Sequence, residues 1–170
     1  MKKTFLITIF SLLVLNLNAQ KSTGTIKDND KLTMKAYKLL EEYLIQNFNY
    51  WDETYSDNAI IRYNNMLLDK KTFLGLVKQD FVLFNNISID PSDHDDNYAH
   101  TNYFTNGVNK VDIWTNHWFI WSGTGKTLGL RYSARVHVDT KWENDKVAEQ
   151  LFYADMSAHK MESEIFKQSQ

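Results

Sequence analysis

The chain contains no cysteine and a single proline in 170 residues. No disulfide can staple it, and no thiolate is available as a nucleophile or a zinc ligand. With only six glycines, collagen-like and glycine- or proline-rich low-complexity classes are excluded as well. Charge of one sign is also lacking: 19 Lys+Arg stand against 21 Asp+Glu, a formal net charge of -2, and there is no basic run. An electrostatic footprint for nucleic acid is therefore not expected. Beyond the N-terminus there is no apolar run long enough for a membrane-spanning helix. What the chain has in excess is aromatic surface, 9 Tyr, 10 Phe and 5 Trp, or 14%. Rings of this kind bury wide, flat area while keeping a polar edge on Tyr and Trp.

The first nineteen residues have the pattern of a secretory signal peptide. Met1-Lys2-Lys3 is a short cationic start, Phe5 to Leu15 is apolar but for Thr8 and Ser11, and Leu17-Asn18-Ala19 offers a small residue before a cut. The expected division is 1–19 signal peptide, 20–30 polar tether and 31–168 one domain. The mature protein is expected to be periplasmic or secreted, with no membrane span. A domain of this size buries about 70% of the surface its unfolded chain exposes, enough for one core without staples.

Asp30 is an N-cap candidate for a long helix whose apolar stripe is Tyr37, Leu40, Leu44, Phe48, Trp51 and Tyr55. A short strand is expected over Ala59–Tyr63. Asp69 caps a second helix carrying Phe73, Leu76, Val77, Phe81 and Phe84. After the acidic loop Asp90–Asn97 the period changes from about 3.6 to 2. Four strands are expected, Tyr98–Asn106, Lys110–Ser122, Thr127–Thr140 and Lys146–Ser157, separated by Asn106-Gly107, Gly123-Thr124-Gly125 and Glu143-Asn144-Asp145. A short polar tail closes the chain. Helices followed by hairpin-linked strands describe an α+β domain: a curved antiparallel sheet wrapped around a long N-terminal helix and a second helix, a cystatin-like cone.

Alternation assigns Leu130, Tyr132, Ala134, Val136 and Val138 to the inner face of the third long strand. A turn centred near Asn144 sets Val136 opposite Phe152 and puts Gln150 and Phe152 inside. The outer face then carries Arg131, Arg135, His137, Tyr153 and Asp155, a candidate dimer surface. In the Trp-rich strand, a turn centred near Gly125 sets Trp118 opposite Tyr132. That puts Trp114, Asn116 and Trp118 inside and Thr115, His117, Phe119 and Trp121 outside; a register slip of one residue reverses the list.

Three stretches carry a resemblance: Trp121-Ser122-Gly123-Thr124-Gly125-Lys126, Lys141-Trp142-Glu143-Asn144-Asp145-Lys146-Val147, and Tyr153-Ala154-Asp155. The run from Lys141 to Val147 resembles a "W-x-x-G-K-I" entry to the last strand, and Tyr153-Ala154-Asp155 resembles its "Y-F-D" exit. With the order of elements, they make Lys31 to Phe166 resemble the nuclear transport factor 2-like (SnoaL-like) superfamily. The stretch Trp114–Lys146 is similar to exported members from the Bacteroidetes. The resemblance implies a cone with an apolar pocket, often dimeric through the outer sheet face. It covers ketosteroid isomerase, polyketide cyclases, dehydratases and non-catalytic binders. SnoaL-like cyclases often carry Glu-His-Trp-Asp in the last strand, its His and Asp directed into the pocket. Here the stretch is Glu149-Gln150-Leu151-Phe152, so neither position can move a proton.

Other motifs are weaker. Gly125-Lys126-Thr127 lies between strands, without the first glycine or the following helix of a phosphate-binding loop. The acidic loop Asp90, Asp93, His94, Asp95, Asp96 lacks the alternation and closing Glu of a calcium loop. No metal and no cofactor is expected. There is no Gly-x-Ser-x-Gly elbow. For acid–base work the candidates are His117, Asp112 and Asp80. Tyr37, Tyr43, Tyr55, Tyr63 and Tyr132 could each aim a hydroxyl inward.

The expected pocket is lined by Trp51, Tyr55, Trp114, Asn116, Trp118, Tyr132, Gln150 and Phe152, and suits a small apolar or aromatic ligand. The leading expectation is an exported binding or accessory domain, homodimeric, without an evident catalytic pair. Its rivals are a SnoaL-like isomerase, cyclase or dehydratase, and a structural dimer whose cone is filled. A cavity on the order of 300 Å³ separates the last from the others, and an ionisable group hydrogen-bonded inside it favours the enzyme.

Overall fold

The computed structural model describes residues 23–90, 97–106 and 110–168. The signal-peptide reading, the acidic loop at 91–96 and the turn at 107–109 lie outside the described residues.

Two aspartates start the main helices as their positions dictate. Asp30 Oδ1 accepts the Thr33 N–H at 2.8 Å and opens α1 (Lys31–Leu44). The expected long helix is two helices. Gln46 takes a left-handed conformation (φ 58°) and breaks the run before α2 (Phe48–Thr54). The buried line of α1 is therefore Leu32, Ala36, Leu39 and Tyr43, and Leu44 is exposed. Tyr55 begins β2 (Tyr55–Tyr63), which turns at Asn64 (φ 50°) into a short β3 (Met66–Asp69). Asp69 Oδ1 accepts the Thr72 N–H at 2.7 Å and opens α3 (Lys70–Leu83).

The remaining elements are β4 (Phe84–Asp90), β5 (Tyr98–Asn106), β6 (Lys110–Gly125), β7 (Arg131–Glu143), β8 (Lys146–Ala154) and α4 (Ser157–Gln168). Residues 23–27, expected within the polar tether, form an edge strand, β1 (Thr23–Lys27), antiparallel to β5. Its alternating threonines suit a pleated edge. The sheet order is β1-β5-β6-β7-β8-β2-β3, and β4 pairs with β6 on the same edge as β5, beyond it. All pairs are antiparallel except β2 with β8. The sheet is curved and unclosed, with the helices on its concave side: the expected α+β cone. No helix among the described residues is long and apolar enough to cross a membrane.

Two hairpins decide which side chains face inward. Asn144 and Asp145, both at positive φ, make a two-residue turn that pairs Glu143 with Lys146. A bulge beside Trp142 then skips Ala148 and shifts the pairing, so Val136 lies opposite Ala154 and Val138 opposite Phe152. The partners are displaced by two residues from expectation, which keeps the phase, and Gln150 and Phe152 remain inside. The β6–β7 loop is longer than expected. Thr124 pairs with Arg131, and Leu128 and Leu130 are exposed loop residues. Trp118 consequently faces His137, which reverses the face list for β6: Thr115, His117, Phe119 and Trp121 are inside, Trp114, Asn116 and Trp118 outside.

The core centres on Phe73, fully buried, whose ring lies 5.8 to 6.3 Å from those of Trp51, Tyr55, Tyr63 and Phe152. At the other end of the cone a hydroxyl chain joins the layers. Thr33 Oγ1 and Thr101 Oγ1 lie 2.7 Å apart and Thr101 and Thr115 2.8 Å, and Trp142 Nε1 donates to Thr115 at 2.7 Å. Phe73→Ala is expected to lower unfolding free energy by about 3–5 kcal/mol. Val82→Ala, at an exposed position of the same helix, should stay within about 0.5 kcal/mol. Urea denaturation of the two variants checks this.

Candidate functional site

The cone is not filled. A cavity of about 230 Å³ lies between the helices and the sheet, walled by Leu40 of α1, Trp51 of α2, Val77 of α3, and Phe119, Val136 and Phe152 of the strands. It is smaller than the 300 Å³ mark yet several times the roughly 30 Å³ share of one water. Met66 and the chain from Asp155 to Lys160, where α4 begins, complete the wall. Tyr63 Oη donates to Met156 Sδ at 2.9 Å and joins β2 to that segment.

Within this mainly apolar lining, one set of polar side chains is joined by hydrogen bonds. Asp80, in the last turn of α3, points Oδ1 at His159 Nε2 (3.1 Å) and accepts from Tyr43 Oη on Oδ2 at 2.9 Å. Tyr43 in turn accepts from Trp121 Nε1 at 2.8 Å. Four elements, β6, α1, α3 and α4, thus supply Trp121, Tyr43, Asp80 and His159 in sequence. Burial, and then the Asp80 charge, push the Tyr43 phenol well above its ordinary value, so it stays a donor to the carboxylate. The side chains of Asp80 and His159 retain 22% and 18% of their exposure, so a molecule in the cavity can touch both. A carboxylate at Nε2 fixes the proton on that nitrogen, and in the neutral ring the lone pair is then on Nδ1.

Of the residues expected in the pocket, Trp51, Tyr132 and Phe152 line the cavity. Tyr55 and Gln150 are buried in the core outside its wall. The Tyr55 hydroxyl donates to Gln150 Oε1, and Gln150 Nε2 donates to Thr140 Oγ1 at 3.0 Å. Trp114, Asn116 and Trp118 belong to the outer face, because the longer β6–β7 loop inverts the phase of β6. There Tyr98, Trp118, His137 and Tyr153 form a ring ladder across four strands, the first three stacked and Tyr153 tilted, with centroids 6.1, 4.7 and 5.8 Å apart. His137 and Tyr153 of the candidate dimer face belong to this ladder, and Arg135 is on the same face, exposed. Arg131 is tied to β4 through the Asn86 carbonyl (2.6 Å) and Ser88 Oγ (2.9 Å). Asp155 is at the cavity rim and accepts the Ser157 N–H at 2.9 Å.

The acid–base candidates separate sharply. Asp112, opposite Phe104 on the outer face, is remote from the cavity. Asp80 is in it. His159 is not singled out by the sequence because the tail is polar: the inward side of α4 carries His159 and Glu162, which no apolar stripe announces, and Met161 is exposed. Among the described residues no cluster of His, Asp and Glu could hold a metal ion.

His117 is buried on the inner face, outside the cavity wall, with Nε2 2.9 Å from Asn97 Oδ1 and its ring 4.9 Å from Tyr37. Burial pushes its pKa down to about 4. Its neutral form is therefore the folded form. The linked stability is complete above pH 6.5 and declines as pH falls toward 4, where the unfolded chain binds the proton first; the loss is about 3 kcal/mol. Urea midpoints of wild type and His117→Gln between pH 7 and pH 4 should show this slope in the wild type only.

No family model matches the chain, and no curated protein matches it. Solved structures do. IdmH, a polyketide-cyclase candidate from Streptomyces antibioticus, is 10% identical, with a TM-score of 0.57 over 79% of this chain and 99% of its own. A SnoaL-like polyketide cyclase from Agrobacterium tumefaciens is 14% identical, TM-score 0.54, over the same shares. AclR, a hydroxylase candidate from Streptomyces galilaeus, is 10% identical, TM-score 0.53, over 75% of this chain and 78% of its own. At such identities the likeness is one of fold: this chain has the α+β cone of the SnoaL-like polyketide cyclases.

Proposed function

We propose that the chain is an acid–base enzyme of the SnoaL-like type, an isomerase, cyclase or dehydratase acting on a small, neutral, largely apolar molecule. The observation that carries this is the Asp80–His159 contact in the wall of a mainly apolar cavity. The last strand, where related cyclases often keep a proton-handling pair, holds Gln150 and Phe152. Here two helices supply the pair instead.

The roles follow from the hydrogen bonds. Asp80 orients the imidazole by accepting its Nε2–H. His159, with Nε2 directed at the carboxylate, takes and returns a proton at Nδ1. Tyr43 gives its one proton to Asp80 and is itself held by the Trp121 indole, so it fixes the carboxylate and leaves the substrate to the imidazole. The surrounding apolar side chains lower the local dielectric and strengthen each of these interactions. The size of the cavity limits the substrate to one or two small rings.

Hydrogen–deuterium exchange tests this on a flat bicyclic ketone. With 2-tetralone in heavy water, the protein should accelerate loss of the C1 protons in the proton NMR spectrum. Asp80→Asn and His159→Gln should each slow that exchange by about 10²-fold or more, with little change in affinity for the ketone. Equal rates for all three proteins would defeat the acid–base reading; tight binding without exchange would leave a binding module.

A further inference from the structure

α4 carries His159, yet it is held to the cone in an unusual way. Its one buried side chain among the described residues is a carboxylate, Glu162, which is fully buried, while Met161 beside it is exposed. Glu162 Oε1 accepts the backbone N–H of Thr127 in the β6–β7 loop. The other oxygen, Oε2, is buried without a hydrogen-bond partner, as is Tyr132 Oη at the start of β7. Position 125 completes the seat: a Cβ there would overlap the Glu162 carboxylate, so only glycine admits it.

A half-satisfied buried carboxylate is a poor source of stability, and an apolar side chain of similar volume would serve a core better. It is, however, a good source of position. Apolar contacts are non-directional and let a helix slide. An N–H···carboxylate bond in a close-fitting seat fixes depth and rotation. His159 and Glu162 are three residues apart, on one side of α4, so what fixes one fixes the other.

We propose that Glu162 is the positioning residue for His159: seated against Gly125 and bonded to Thr127, it sets the docking of α4 so that the imidazole reaches Asp80. This rests on the acid–base reading of the Asp80–His159 pair.

The test is the His159 Nε2–H resonance in ¹⁵N-labelled protein, assigned by its loss in His159→Gln, together with 2-tetralone exchange. Glu162→Gln keeps an acceptor for Thr127 and should keep the resonance. Glu162→Ala and Gly125→Ala should each lose it and lower exchange turnover by on the order of 10²-fold, while the Kd for 2-tetralone changes little. Should Glu162→Ala not fold, Gly125→Ala carries the same prediction. Survival of the resonance in the alanine variants overturns the assignment, whatever their melting temperatures. If the resonance is lost as expected but Asp80→Asn exchanges 2-tetralone at the wild-type rate, Glu162 still positions the imidazole and it is the acid–base reading that falls.

Discussion

The pairing of Thr124 with Arg131 is the constraint on which the interior depends. The loop between them turns through Gly129 (φ 68°), with the Gly129 N–H donating to the Gly125 carbonyl and the Gly125 N–H to that of Leu130. Its length sets the phase of β6 against β7. With this phase the Trp121 indole points inward and reaches Tyr43, His117 joins the core and Trp118 goes to the outer face. One residue more or less would exchange every one of these positions. The same loop offers the Thr127 N–H to Glu162, so a single turn orients both the wall of the cavity and the helix that closes it.

An interior this rich in Tyr, Trp and Thr must find partners for many polar edges, since an unpaired buried group costs about as much as a lost hydrogen bond restores. Three chains do so. Thr33, Thr101, Thr115 and Trp142 satisfy one another at one end of the cone. Tyr55, Gln150 and Thr140 do the same beside Phe73. The third, from Trp121 through Tyr43 to Asp80, does not close on itself: it ends on His159 in the cavity wall. The first two are structural because every member is spent on another. The third ends on a titratable ring that a second molecule can touch.

Sharing a fold with cyclases and with a hydroxylase candidate does not fix the chemistry, since the cone is a scaffold on which sites are placed separately. This chain illustrates the point at its last strand, where Gln150 is locked into the core and Phe152 packs on Tyr63 and Phe73. The proposed proton-handling pair on two helices differs physically from one on a strand. Strand residues are held by the ladder, whereas a terminal helix must be docked. That is why the attachment of α4 matters to the site as much as the identity of its histidine.

Much of the architecture was legible in the chain itself. Asp30 and Asp69 announce their helices because a short side-chain oxygen satisfies the free N–H groups of a first turn, and β5 matches the alternating run Tyr98–Asn106 residue for residue. The aromatic content foretold buried rings with polar edges to satisfy, and the order of helices and strands foretold the cone. What tertiary structure alone decided was phase and proximity. The break at Gln46, the bulge at Ala148 and the length of the 125–130 loop each depend on backbone conformations that several sequences adopt, and each shifts a whole row of side chains. Asp80 and His159 are 79 positions apart in the chain, and no periodicity relates them. Only the packing of α3 and α4 against one sheet brings a carboxylate and an imidazole to hydrogen-bonding distance, because proximity across elements is a property of packing and not of local pattern.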